Sequence, residues 1–583
     1  MAALASSGIT ATCNIADGAT VGGEVAFSIE ATSDALISGV EYYVNGEIRG
    51  SDDSTPYEFK LDTIREAEGP IKVKFHIGAT NGDQKDIMLN LVIDNGLGKG
   101  AEHWVTEAEN AAVNSKWDDA IRYARVALKA KPKYNPARLV LARSYFGRGT
   151  LDLAQKYAED VLIDDPANLM ARDLSSAISL QKAFVAGSGT RDRNAALQAL
   201  KSALVSAAQS RIQVFETQLN NLGPTTDANR LQVASIALRA GRYSVAIDAL
   251  KEVYLRESDN PALVNRLMYA QIRAGKFQDA IGTATQYIRR GTPNGEGYGL
   301  LAILFDRAGD AGNAAEYERQ MVLNDASALG VRLTQAYLAT IRNNVEGLRR
   351  LSQQLDSTVG ENAFVSYYSQ IARYRAGDYS GSKTSFERAA LADPSIPDLY
   401  IQQGNQALEI ALQPQTEKQN VGYYQDVTRA YYEAALAAKP ESFQAFTGLA
   451  LVDLMQGKTD AAIKNAKLAI SAGSEYAPGY YVASLAFATV DQNLTRTEQS
   501  VQNQIALARN NRLNEEVDKL TKQLATVRSM IDSNRRERDA AVAGYQRNDA
   551  KNLRGLGIPD LARAFGYFAR FGRLPLIQLK PLQ

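Results

Sequence analysis

Very little in this 583-residue chain can bind a metal or act as a nucleophile, for it has one cysteine, Cys13, and two histidines, His76 and His103. An internal disulfide is excluded, and a Cys/His zinc site or a Cys–His nucleophilic pair lacks its ligands. The phosphate loop GxxxxGK[ST], HExxH and GxSxG are absent as well. No catalytic, metal or cofactor-binding residues are therefore assigned, and no cofactor is expected. No run of about 18 apolar residues occurs, so no transmembrane helix is expected. Residues Met1 to Gly8 have neither the basic region nor the apolar stretch of a signal peptide, so either the protein is not exported by that route or a signal was removed. Lys+Arg and Asp+Glu balance at 65 each, which argues against nucleic acid as a partner. Cys13 reads as an isolated thiol in a flexible lead. His76, sharing a polar strand face with Lys72 and Lys74, and His103 read as solvated.

What the chain does have is a beat of small residues at 34-residue spacing: Ala120 and Ala154, then Ala246, Ala280 and Ala314, then Thr428 and Ala462. Units of this length cannot bury an apolar face alone, so stacking into a solenoid follows, and binding or assembly is the default job of such a fold. Small side chains let two antiparallel helices approach, and prolines such as Pro132 and Pro166 stop the second helix of a unit. Turns between paired helices are marked by Ala240-Gly241-Arg242-Tyr243, Ala274-Gly275-Lys276-Phe277, Ala308-Gly309-Asp310, Ala376-Gly377-Asp378-Tyr379 and Gln456-Gly457-Lys458. The aromatic two residues past glycine is expected to bury its ring against the turn.

With Trp104, Ala108, Ala120, Ala124, Ala127 and Pro132 in one unit, and Leu141, Ala142, Tyr145, Ala154, Ala158 and Pro166 in the next, the pattern resembles the tetratricopeptide repeat (TPR). Roughly ten units fit between residues 101 and 490 at that repeat length. Residues 167–226 depart as an elongated, irregular repeat. Residues 327–360 keep the phase but put Leu348 at the small position, and 413–424 read as a loop insertion.

From Val21 the period changes to that of strands. Val25, Phe27 and Ile29 alternate with small residues, Ile71, Val73, Phe75 and Ile77 with polar ones, and Asn45-Gly46 marks a type I′ hairpin. The expectation is a small antiparallel β-sandwich over 21–95, preceded by a flexible segment 1–20 and followed by a glycine-rich link 96–100 on which it pivots. The run Val40-Glu41-Tyr42-Tyr43-Val44-Asn45-Gly46-Glu47 with Thr55-Pro56-Tyr57-Glu58-Phe59 resembles a cysteine-free bacterial immunoglobulin-like domain. Such domains serve as adhesive or spacer modules on cell surfaces and phage particles. That resemblance implies an extracytoplasmic, cell-surface or virion-associated location.

After the repeats, residues 491–550 read as one long polar helix or coiled-coil cap, with the seam Leu513, Val517, Leu520, Leu524, Val527 and Ile531. This stripe either packs back onto the chain or drives self-association. In the tail 551–583, Leu561, Phe565 and Phe568 form an apolar stripe flanked by Arg563, Arg570 and Phe571. It docks on its own solenoid, in a neighbouring subunit, or on a membrane surface.

The fold expected is thus multidomain and mostly α: an α-solenoid behind an all-β sandwich, with a C-terminal long helix. By resemblance to the TPR family, Leu139, Arg143, Phe146, Asn265, Tyr269, Ile272, Phe364, Tyr367, Ile371 and Tyr374 face a concave groove. The carboxylate-clamping set of chaperone-type members is not reproduced. Three readings stand: a non-enzymatic scaffold, a structural subunit assembling with itself or other protein subunits; a monomeric adaptor holding a partner peptide in its groove; and an accessory to polysaccharide export or carbohydrate binding.

Overall fold

Strand pairing begins earlier than expected. In the computed structural model, which describes residues 8–549 apart from 190–191, 292, 360–361 and 414–415, β1 (Thr10–Cys13) pairs antiparallel with β3 (Glu24–Thr32). Residues 10–13 thus belong to the sandwich rather than to a flexible lead, because Ile9, Ala11 and Cys13 pack on its apolar core. Burial raises the pKa of the Cys13 thiol. One sheet has the order β1-β3-β6 and the other β2-β8-β7-β4-β5, where β2 is Thr20–Val21, β4 Ile37–Val44, β5 Glu47–Asp52, β6 Tyr57–Asp62, β7 Gly69–Ala79 and β8 Gln84–Ile93. The β2–β8 pair is parallel, so the sandwich is not wholly antiparallel. Asn45 and Gly46 have φ of 50° and 87°, the two positive values a type I′ turn requires. Phe27, Tyr42, Phe59 and Phe75 meet between the sheets with centroids 5.3 to 5.9 Å apart. His76 is not simply solvated: its Nδ1 lies 2.6 Å from Asp86 Oδ1 on the neighbouring strand.

The chain divides into two compact units, Met1–Ile178 and Ser179–Gln583. In the first, the sandwich is followed by α1 (Ala101–Val113), α2 (Trp117–Ala130), α3 (Asn135–Gly147) and α4 (Leu151–Asp164), and α5 (Leu169–Gly189) begins. Ala120 and Ala154 are fully buried where these helices cross. The glycine-rich link is not a free pivot. Leu97–Lys99 form a 3-10 turn, and Trp104 Nε1 donates to Gly96 O at 2.8 Å. The Asn95 side chain accepts from Gly23 N and Thr63 Oγ1 and donates to Glu68. From α2, Arg125 pairs with Asp62, and Lys129 donates to the carbonyls of Thr63 and Glu66. Charges spaced four apart on one helix face thus grip the 3-10 turn Thr63–Arg65 at the end of the sandwich.

The second unit continues with α6 (Arg193–Asn221), α7 (Arg230–Arg239), α8 (Tyr243–Tyr254), α9 (Pro261–Arg273), α10 (Phe277–Arg290), α11 (Gly295–Arg307), α12 (Ala311–Asp325), α13 (Leu329–Ile341), α14 (Val345–Val359), α15 (Ala363–Arg375) and α16 (Tyr379–Ala392). It ends in α17 (Pro397–Leu412), α18 (Lys418–Ala438), α19 (Phe443–Met455), α20 (Thr459–Ala472), α21 (Ala477–Asn510) and α22 (Asn514–Asp549). The irregular stretch 167–226 resolves into α5 and α6, of 21 and 29 residues. Gly241, Gly275, Gly309, Gly377 and Gly457 all take φ between 68° and 83°, the left-handed C-terminal turn that glycine adopts without strain. Tyr243 and Phe277 bury their rings beside these turns, whereas Tyr379 is exposed. Leu348 is fully buried in place of the small residue.

Two expectations are corrected here. The extra residues of 413–424 are not simply a loop, since from Lys418 they lengthen α18. The long helix expected over 491–550 is two helices: α21 starts within the last repeat, and the chain reverses at Asn511–Leu513, with Arg512 left-handed at φ 59°. Leu520, Val527 and Ile531 are buried in the resulting antiparallel hairpin, and Leu520 clusters with Val501 and Ile505 of α21. Most of the seam is therefore covered within the chain, with Leu513 at the reversal left exposed, and this arrangement does not show a coiled coil between chains. The tail residues Leu561, Arg563, Phe565, Phe568, Arg570 and Phe571 lie outside the described residues.

Candidate functional site

Within the second unit the solenoid turns back on itself. Ser244 Oγ on α8 donates to Glu441 at 2.8 and 3.0 Å, and Arg211 on α6 pairs with Asp393 at 3.0 Å. Arg273, the last residue of α9, forks onto Asp398 of α17 at 2.8 and 3.2 Å. A side chain at Gly275 would begin 2.9 Å from the Phe443 ring, so the small residue permits this approach.

The concave face so enclosed holds a cavity of about 580 Å³. Its floor comes from α9 (Tyr269, Ile272, Arg273), α11 (Leu300, Ile303, Arg307), α13 (Leu333, Thr334, Tyr337) and α15 (Phe364, Tyr367, Tyr368), the first helices of successive repeats. Steps of three and four put each set on one helix face. Asp398, Lys439, Phe443 and Gln444 close the opposite wall. Tyr269 and Phe364 are 43% and 45% exposed, large apolar surfaces left open to the cavity.

Charge inside this aromatic space is unevenly paired. Burial acts against the charge of Arg273, but the Asp398 carboxylate and two nearby phenols outweigh it, and its pKa is raised. Asp398 is held below its usual range by Arg273 and Lys439 despite burial. The Lys439 ammonium donates to Arg273 O and lies 5.0 Å from the Tyr243 and Phe443 rings. Burial, then Arg273, pushes its pKa down to about 7. Burial and Arg273 likewise bring Arg307 down to about 9.

Of the residues expected to face a groove, Tyr269, Ile272, Phe364 and Tyr367 line this cavity. Asn265 does not: it is buried, donating to Asn294 Oδ1 at 2.9 Å across the α9–α11 contact. Ile371 is fully buried in a core cluster with Leu348, because its helix turns that face to the neighbouring helix. Tyr374 lines a separate cavity of about 340 Å³ with Tyr379 and Tyr423, and its hydroxyl donates to Glu409. Leu139, Arg143 and Phe146 belong to the first unit, where Arg143 is exposed, Leu139 is half-buried and Phe146 packs beside Ala142. Sequence reasoning missed Arg273, Arg307, Asp398 and Lys439. A signal existed for two of them, since Arg239, Arg273, Arg307 and Arg375 recur on the 34-residue beat or its double, each ending a first helix.

The profile of the bacterial Ig domain family matches residues 14–85, and that of the tetratricopeptide repeat matches 105–168, 265–328 and 428–477. The chain carries TPR repeats behind a bacterial Ig domain. Tyr269, Leu300 and Arg307 fall in the second TPR block and Lys439 and Phe443 in the third, while the α13 and α15 residues and Asp398 lie between the two. Repeats of this kind are typically non-catalytic adaptors and imply protein partners; the chain is a protein-interaction scaffold. Among solved structures, yeast Tom70 is similar at 15% identity and TM-score 0.31, covering 74% of this chain and 96% of its own. The Cut9–Hcn1 hetero-tetramer of the APC/C is similar at 12% identity and TM-score 0.36, covering 81% and 96%. PilF of Pseudomonas aeruginosa is similar at 15% identity and TM-score 0.20, covering 42% and 100%. At such TM-scores these likenesses carry no argument about function. No curated protein matches the chain. Among the described helices none is long and apolar enough to cross a membrane.

Proposed function

We propose that the protein is a non-catalytic scaffold that holds an extended or helical segment of a partner protein in the groove formed by α9, α11, α13 and α15. The observation that carries this reading is the open aromatic floor, where Tyr269 and Phe364 remain over two-fifths exposed beside a cavity of about 580 Å³. A groove of this size, mostly apolar with a few placed polar groups, suits a peptide in the helix-in-groove or extended mode. Panning a phage-displayed random decapeptide library against the full chain tests it. Enriched sequences should bind the wild type and lose about tenfold or more in affinity against Tyr269→Ala/Phe364→Ala, a double change at exposed side chains. Enrichment indifferent to that change would place the binding elsewhere and defeat the reading.

A second reading, a structural subunit of a cell-surface or particle-associated assembly, draws support from the Ig domain at residues 14–85. It differs from the first in one observable. A self-assembling subunit gains mass with concentration in sedimentation, and a groove-binding monomer does not.

A further inference from the structure

Arg307 is 5% exposed, and among the described residues it forms no ion pair. One of its nitrogens, Nη2, donates to the Tyr337 hydroxyl, while Nε and Nη1 are buried without a hydrogen-bond partner. The equivalent arginines of neighbouring repeats are treated differently. Arg239 is exposed beside Phe215, Arg273 forks onto Asp398, and Arg375 donates to Thr340 O at 3.1 Å. Burying a guanidinium without a counter-ion is costly, and folded chains avoid it unless something else returns the interaction.

The carboxylates near the cavity are already engaged. Asp398 is held by Arg273, and Glu296 accepts from Asn265 at the rim. Lys439 on the opposite wall, brought down to about 7 by burial, carries only part of a charge near neutral pH. Among the described residues Arg307 is therefore a lining guanidinium with no carboxylate paired to it, and the cavity it lines also presents Leu300, Ile303, Phe364 and Tyr367, surfaces that favour an apolar chain.

We infer that Arg307 is an anion-binding residue that takes one carboxylate of an otherwise apolar or aromatic partner segment laid in the groove. This rests on the groove reading above and adds to it the charge of the ligand. The carboxylate comes from an Asp or Glu side chain or from a peptide C-terminus, and both offer the same planar acceptor to a guanidinium.

The probe is an array of decapeptides in a Leu/Phe/Ala/Ser background. One set carries a single Glu at each position with an amidated end, the second replaces Glu by Gln, and the third is the Gln set with a free terminal carboxylate. Binding to the full chain is read by fluorescence anisotropy. The expected result is that the tightest carboxylate-bearing peptides exceed their Gln amides about tenfold or more, a gap that closes in Arg307→Met. Should Arg307→Met fail to fold, Arg307→Gln, which loses the charge but keeps amide donors, reads the same gap. A gap only in the Glu set assigns an internal acid, and a gap only in the third set assigns a terminus; either supports the inference. Equal binding of all three sets, or a gap that survives the loss of Arg307, overturns it while leaving the groove standing. Binding of every set that ignores Phe364→Ala, or no binding at all, overturns the groove reading and this inference with it.

Discussion

Lys439 shows how burial rather than residue type sets the character of the groove. Its ammonium is 3% exposed and pushed down to about 7, against about 10.4 for a free lysine. Between these values the unfolded chain binds the extra proton, so the stability of the second unit rises with pH from about 7 to about 10 on this account. Lys439→Met removes that dependence. From pH 7 to pH 9 the wild type should gain about 2 kcal/mol over the variant in urea unfolding followed by far-UV circular dichroism. Parallel pH curves would contradict the assignment. Circular dichroism is the right probe, because both tryptophans, Trp104 and Trp117, lie in the first unit and are blind to the second. Nothing local in the sequence marks Lys439, which follows α18 as an ordinary lysine before a proline. Its environment is made by Tyr243 and Arg273, more than 150 residues away.

Element boundaries follow chemistry that the sequence displays plainly in some places and hides in others. The 34-residue beat of Ala120, Ala154, Ala246 and Ala280 locates fully buried helix crossings, because only a small side chain fits there. Glycine after the first helix is equally legible, since the turn demands a positive φ. The link 96–100 misleads, as its glycines suggest freedom that Arg125 and Lys129 of α2 take away by gripping the end of the sandwich. Those contacts join elements more than 60 residues apart and have no sequence period. Replacing both, Arg125→Ala with Lys129→Met, should cost about 1 kcal/mol of docking and speed tryptic cleavage after Lys99 several-fold in limited proteolysis. Unchanged cleavage would mean that Trp104 and Asn95 hold the junction alone. In the C-terminal hairpin the apolar seam was readable, but the reversal at Asn511–Leu513 was not, because helical periodicity persists on both sides of it.

At the scale of the molecule, each unit has a separate logic. In the first, an Ig sandwich is fixed to the opening repeats. In the second, later repeats come back against earlier ones through Arg273–Asp398, Ser244–Glu441 and Lys439, enclosing the cavity. The family's concave positions could be projected from sequence onto α9 and α15, which found Tyr269 and Tyr367. The facing wall from α17 to α19 could not, since closure depends on pairs some 125 residues or more apart. Hydrogen–deuterium exchange of the full chain, with and without the tightest library peptide, tests the central claim most directly. The account predicts slowed exchange in α9, α11, α13, α15 and around Lys439 to Gln444, with the Ig sandwich unchanged. Protection confined to the sandwich or to the α21–α22 hairpin would contradict it.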